Sequence, residues 1–117
     1  KQLEFYFNGD DNLTDFKIRC YKKHGKNWSL LGNYTPDFLV ISRDEQGAIK
    51  QILIIETKGE GFAAKFAERR QFMEEEFVKL NNERFGYNRF SFLYIEDTMT
   101  PTEQDKKTIT AINQFFK

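Results

Sequence analysis

Cysteine is almost absent from this chain. Cys20 is the only one, so no internal disulfide can form and a reducing compartment fits best. Its alternation with apolar neighbours makes it a core side chain. Histidine is as scarce: His24 stands alone, with no cysteine or second histidine beside it, and reads as a loop residue rather than a general base. Neither sign of charge is in excess, with 18 Lys and Arg against 18 Asp and Glu. Autonomous DNA-binding domains usually carry a basic surplus; neutrality does not exclude nucleic-acid binding, since a larger assembly could provide the grip. No apolar run approaches the roughly 18 residues of a membrane span, and no signal peptide is visible. No membrane partner is expected. Repeats, low-complexity tracts and linkers are also missing. The chain starts at Lys1 rather than Met, which reads as a domain excised from a longer protein.

Aromatic side chains are plentiful: thirteen Phe, five Tyr and one Trp. In a chain of 117 residues they supply one hydrophobic core, so residues 1–117 are expected to form a single domain. The Phe content reads as core, not as a base-stacking platform. Leu3–Phe7 is expected to be a strand closed by Asn8-Gly9-Asp10, and Phe16–Tyr21 a second strand. Lys22–Asn27 reads as a polar loop and Trp28–Leu31 as a short strand. Phe38–Ser42 and Lys50–Thr57 are the clearest strands, and their continuous apolar runs imply burial on both faces. Gly59-Glu60-Gly61 breaks the second run and leads into a helix over 62–82, with Phe62, Phe66, Met73, Phe77 and Leu80 as its apolar stripe. Phe90–Ile95 is a further strand. Thr100-Pro101-Thr102-Glu103 has the form of a capping box. It opens a last helix reaching about Phe116, with Ile109, Ile112 and Phe116 on one face. Strands, a long helix, a strand and a helix give an α/β fold with a mixed central sheet flanked by helices.

Chemistry concentrates where the two apolar strands approach. Asp37 precedes Phe38-Leu39-Val40-Ile41, while Glu56-Thr57-Lys58 follows Ile52-Leu53-Ile54-Ile55. Two carboxylates and an ammonium group on adjacent core strands are costly to keep for structure alone. Side chains alternate along a strand, so Glu56 and Lys58 point to one face. If the hairpin pairs Glu45 with Ala48, Asp37 falls opposite Glu56. Carboxylates that close repel, and one takes a proton unless a cation sits between them. A hard divalent ion, Mg2+ with Mn2+ as its substitute, resolves the conflict through oxygen ligands. The Thr57 backbone carbonyl is a further candidate ligand. Such an ion polarises a phosphate and activates water, and Lys58 can orient that water or stabilise developing negative charge.

Asp37, Glu56 and Lys58 in this order resemble the PD-(D/E)xK nuclease signature of the restriction-endonuclease-like superfamily. The stretches Tyr34-Thr35-Pro36-Asp37-Phe38 and Ile55-Glu56-Thr57-Lys58-Gly59 are similar to the C-terminal endonuclease domain of type III restriction enzyme cleavage subunits. Phe72-Met73-Glu74, Phe92-Leu93-Tyr94 and Asp97 fit that pattern. The resemblance implies a three-layer restriction-endonuclease-like fold and Mg2+-dependent cleavage of double-stranded DNA. Asp37 and Glu56 match the metal ligands and Lys58 the catalytic lysine. It further implies a helicase-like ATPase region in the same parent chain, a methyltransferase subunit that recognises the site, and a bacterial cytoplasmic location. Many superfamily members carry another glutamate on a helix before the first core strand. Nothing helical precedes Leu3, and Glu4 falls in a strand.

Other polar and charged groups have two readings each. Arg69, Arg70 and Gln71 lie on the helix after Lys58 and can face the site, holding a phosphate or orienting Lys58, with Gln71 and Arg70 the candidates to support it. The plainer reading of Arg69 and Arg70 is a solvated face, with Glu68 and Glu74–Glu76 as partners. Lys22, Lys23, Lys26 and Lys65 can touch the DNA backbone or simply be solvated. Two alternatives stand beside the restriction reading. One is a nuclease of the same superfamily acting in DNA repair or mobile-element processing. The other is a non-catalytic DNA- or protein-docking module that keeps the fold.

Overall fold

In the computed structural model, residues 2–7, 16–96 and 98–117 are described, with the backbone alone for 60–63. In chain order the elements are β1 (Leu3–Phe7), β2 (Ile18–His24), β3 (Asn27–Tyr34), β4 (Phe38–Arg43), β5 (Ile49–Lys58), α1 (Glu60–Phe72), a π-helical turn (Met73–Phe77), α2 (Val78–Phe85), β6 (Phe90–Glu96) and α3 (Pro101–Phe115). A mixed four-stranded sheet runs β1-β4-β5-β6, antiparallel except for the parallel β5–β6 pair, and β2–β3 form a separate hairpin. A parallel pair needs a long crossover, and the helical run from α1 to α2 provides it.

The central strands are buried on both faces, as their unbroken apolar runs require. On one face Leu39, Ile41, Ile52 and Ile54 pack with Phe66, Met73 and Tyr94, and with Ile18, Cys20 and Tyr34 from the hairpin. On the other, Val40, Leu53, Ile55, Leu93 and Ile95 meet Phe116, Ile112 and Ala111. Helices therefore cover both sides of the sheet, and the β2–β3 hairpin completes one of them.

The register of β4 and β5 decides where the carboxylates go. Phe38 faces Ile55 and Ser42 faces Gln51. Continued by one residue, this sets Asp37 across from Glu56, as the sequence suggests. The turn that produces it is different. Asp44 N–H donates to the Ala48 carbonyl at 2.8 Å, so the connection is Glu45-Gln46-Gly47. Gly47 adopts φ 85°, a conformation that favours glycine. An irregularity between Ser42 and Arg43 absorbs the extra residue.

Several expectations need correction. Lys22–Asn27 is not a loop: β2 runs to His24 and β3 starts at Asn27. The expected single helix is interrupted by the π-helical turn. Such a turn adds residues per turn, so positions beyond it no longer follow the 3.6-residue stripe, and Leu80 is exposed. Ile109 is exposed as well; Ile112, Phe115 and Phe116 pack in its place. Not all Phe is core, since Phe5 and Phe7 on the outer strand β1 are largely exposed. The Asn8-Gly9-Asp10 turn, the Phe62 side chain and Asp97 lie outside the described residues.

Candidate active site

Glu56 is the most unusual residue of the fold. It lies near the end of β5, where parity places it on the same face as Ile52 and Ile54, and its side chain is 0% exposed. A buried carboxylate needs partners, and it has two. The Tyr34 hydroxyl donates to Oε1 at 2.7 Å, and the Lys58 ammonium pairs with Oε2. Apart from the Lys58 ammonium, no group among the described residues bonds to Oε2. Burial pushes the Glu56 pKa up and the nearby Asp37 charge pushes it the same way, against the lowering effect of Lys58 and Tyr34. Burial, then the Glu56 charge, drives the Tyr34 hydroxyl well above the ordinary tyrosine range, so it remains a donor.

Asp37 sits in the bend before β4. Its Oδ2 accepts both the Thr57 backbone N–H and the Thr57 hydroxyl, each at 3.1 Å. In an extended strand the N–H and C=O of one residue face the same neighbour. The Thr57 carbonyl is therefore directed to the Asp37 side of β5.

Lys58 is partly buried, and its Nζ lies 5.1 Å from the centre of the Phe66 ring. Phe66 stacks on Tyr94 (5.9 Å, 12°), and the Arg70 guanidinium lies 4.0 Å over Tyr94. An aromatic wall thus carries two cations, of which Lys58 is the one paired with Glu56. Arg70 also donates to Glu74 at 2.8 Å, one of the partners its plainer reading gave it.

The structure does not bring the other candidates to the carboxylates. Gln71 is exposed and donates to Glu75 at 3.1 Å. One helical position beyond Arg70, it turns to the outer flank, where it lines a small groove with Lys22, Lys23 and Trp28. Lys22 pairs with Glu68 at 2.6 Å, Lys23 lies 5.5 Å from the Trp28 ring, Lys26 is in the hairpin turn, and Lys65 is exposed on α1. Arg69 is not solvated as its plainer reading had it: it donates to the Leu31 carbonyl at 3.1 Å and fastens the β2–β3 hairpin to α1. A Cβ on Gly32 would approach that guanidinium to 2.8 Å, and Gly32 has φ 129°. Glu4 is tied to Arg43 near the hairpin end of β4, remote from Asp37.

Two participants escaped the sequence reading, the Thr57 hydroxyl and Tyr34. Tyr34 stands in a stretch that carries the resemblance, but its bond to Glu56 is signalled only indirectly: a buried glutamate on an apolar strand needs a donor, and a tyrosine from another element can supply it.

Among the described residues no three His, Cys, Asp or Glu side chains come together as a metal-binding group. The expected ligands, Asp37, Glu56 and the Thr57 carbonyl, offer only oxygen, and the buried Glu56 Oε2 has no partner among the described residues besides the Lys58 ammonium. That chemistry suits a hard cation that retains water and takes substrate phosphate, as Mg2+ does.

A family model described as "Endonuclease domain" matches residues 8–98, most of the chain. No curated protein and no solved structure matches.

Proposed function

The chain belongs to the endonuclease-domain family, and from that premise we propose that it hydrolyses phosphodiester bonds of double-stranded DNA with Mg2+. The observation that carries this reading is the buried Glu56 beside Lys58, with Asp37 one strand away and bonded to Thr57. Asp37, Glu56 and the Thr57 carbonyl would hold the ion. When bound, it would polarise the scissile phosphate and lower the pKa of water. Asp37, just before β4, and Glu56, on β5, would present oxygen ligands from facing positions at the end of the β4–β5 ladder. Lys58, whose ammonium lies 5.1 Å from the centre of the Phe66 ring, would orient the attacking water or meet charge developing on the phosphate. Arg70 adds positive charge on the same wall.

The parent protein is proposed to be a type III restriction enzyme. A helicase-like ATPase region would bring this domain to DNA, and a methyltransferase subunit would choose the site, in the bacterial cytoplasm. The stretches Tyr34–Phe38 and Ile55–Gly59 support this reading, as does the zero net charge, which fits a nuclease delivered by a larger assembly. The test is cleavage of supercoiled plasmid at low salt, where weak DNA contacts count most. Mg2+ or Mn2+ should support cutting and a chelator should stop it. Asp37→Asn and Lys58→Ala should each lower the rate by about a hundredfold or more. Cutting that Asp37→Asn leaves unchanged would contradict the proposal.

A further inference from the structure

We propose that Tyr34 is a positioning residue for Glu56, one that occupies Oε1 and leaves Oε2, which pairs with the Lys58 ammonium, as the single oxygen a cation would take. This rests on reading Glu56 as a metal ligand. The terminal torsion of a glutamate is broad and nearly two-fold, so an unrestrained carboxylate can offer either oxygen or both. Here it cannot turn freely. The Tyr34 hydroxyl is 2.7 Å from Oε1, and its ring is held against Phe66 (5.1 Å) and Phe92 (6.4 Å, edge-on). Tyr34 is 4% exposed, so the hydroxyl cannot swing away without opening the core.

The restraint comes from outside the central sheet. Tyr34 ends β3 and pairs with Ile18 of β2. Arg69 of α1 holds the same hairpin through the Leu31 carbonyl. The β2–β3 hairpin therefore has a function besides covering the core, since it delivers the one hydroxyl that sets the carboxylate. A single presented oxygen favours a small octahedral ion such as Mg2+ or Mn2+. Ca2+ is larger and accepts two-oxygen carboxylate binding. Tyr34 thus acts on which cation the site prefers as well as on how tightly it binds.

The experiment is a calorimetric titration with Mn2+, and separately with Ca2+, of wild type, Tyr34→Phe, Phe92→Leu and Glu56→Gln, each with a thermal melt. Tyr34→Phe removes only the hydroxyl. Phe92→Leu disturbs the packing of the Tyr34 ring but has no hydrogen bond to remove. The expected result is Mn2+ affinity about tenfold weaker in folded Tyr34→Phe, a Ca2+ to Mn2+ affinity ratio above wild type, and Phe92→Leu close to wild type in both. Tyr34→Phe binding both ions as wild type does would overturn the proposal. So would equal weakening in Tyr34→Phe and Phe92→Leu with an unchanged ratio, which is the behaviour of a purely structural residue. Failure of the underlying reading looks different: wild type would not bind Mn2+, or Glu56→Gln would bind as well as wild type, and the proposal would fall with it.

Discussion

Glu56 ties the chemistry of the site to the stability of the fold. Its folded-state pKa is raised, chiefly by burial, so the folded protein holds a proton that the unfolded chain releases at lower pH. The stability linked to this group is therefore fully present below the ordinary glutamate value of 4.5 and is lost as pH rises through the raised one. In the presence of a chelator, the melting temperature of wild type relative to Glu56→Gln should fall as pH is raised from about 4.5 towards neutrality. A pH-independent difference would contradict the assignment. Asp37→Ala should also destabilise, by about 1–3 kcal/mol, because it strips the Thr57 N–H and hydroxyl of their acceptor. Asp37→Asn keeps an acceptor and should melt closer to wild type, which is why it is the better variant for activity. At this scale the sequence was legible where residue type and strand context clashed: Asp37, Glu56 and Lys58 are charges attached to apolar strands. Tyr34 was not legible, because its contact to Glu56 spans 22 residues and an ordinary tyrosine gives no sign of it. Gln71 and Arg70 are neighbours in sequence that diverge in space, and only the orientation of α1 separates them.

The β4–β5 hairpin carries the site, and its burial is what holds it. Leu53 is fully buried, so Leu53→Ala should cost about 2–5 kcal/mol. Leu80→Ala, on the exposed side of α2, should stay within about 0.5 kcal/mol. Chemical denaturation of both variants checks the contrast. It also checks the π-helical turn, because an uninterrupted 3.6-residue stripe would have buried Leu80. The α3 cap was readable in full: Thr100 Oγ accepts from Glu103 N–H and Glu103 reaches back to Thr100, with Pro101 in the first helical turn. Thr100→Ala should lower stability by about 1 kcal/mol. Strand positions and their pairing were readable from apolar runs and turn residues. The three-residue turn with its compensating irregularity was not, because two different turns yield the same pairing along the strands. Nor was the β2–β3 hairpin legible in full. Lys22, Lys23 and Lys26 give it the composition of a loop, yet backbone pairing carries it to the Gly25-Lys26 turn.

For the molecule as a whole, neutrality sets the expected behaviour. With 18 charges of each sign, the isolated chain should bind DNA weakly, with affinity that falls steeply as salt rises. Lys22 is already paired with Glu68, while Lys23 and Lys26 on the same hairpin are exposed. If the hairpin touches the DNA backbone, Lys23→Ala with Lys26→Ala should reduce the salt slope of binding by roughly one to two, and Lys22→Ala should do less. Fluorescence anisotropy across a salt series measures this. Fold class was legible at this scale because the order of strands and helices leaves few ways to bury both faces of β4 and β5. Among the described residues no helix is long and apolar enough to cross a membrane. The central claim is that Asp37 and Glu56 form a metal site. The most direct measurement is Mn2+ titration by calorimetry of wild type against Glu56→Gln, with melts to establish that both are folded. The account predicts saturable binding in wild type that is lost in Glu56→Gln. Equal binding in the two proteins, or none in either, would contradict it.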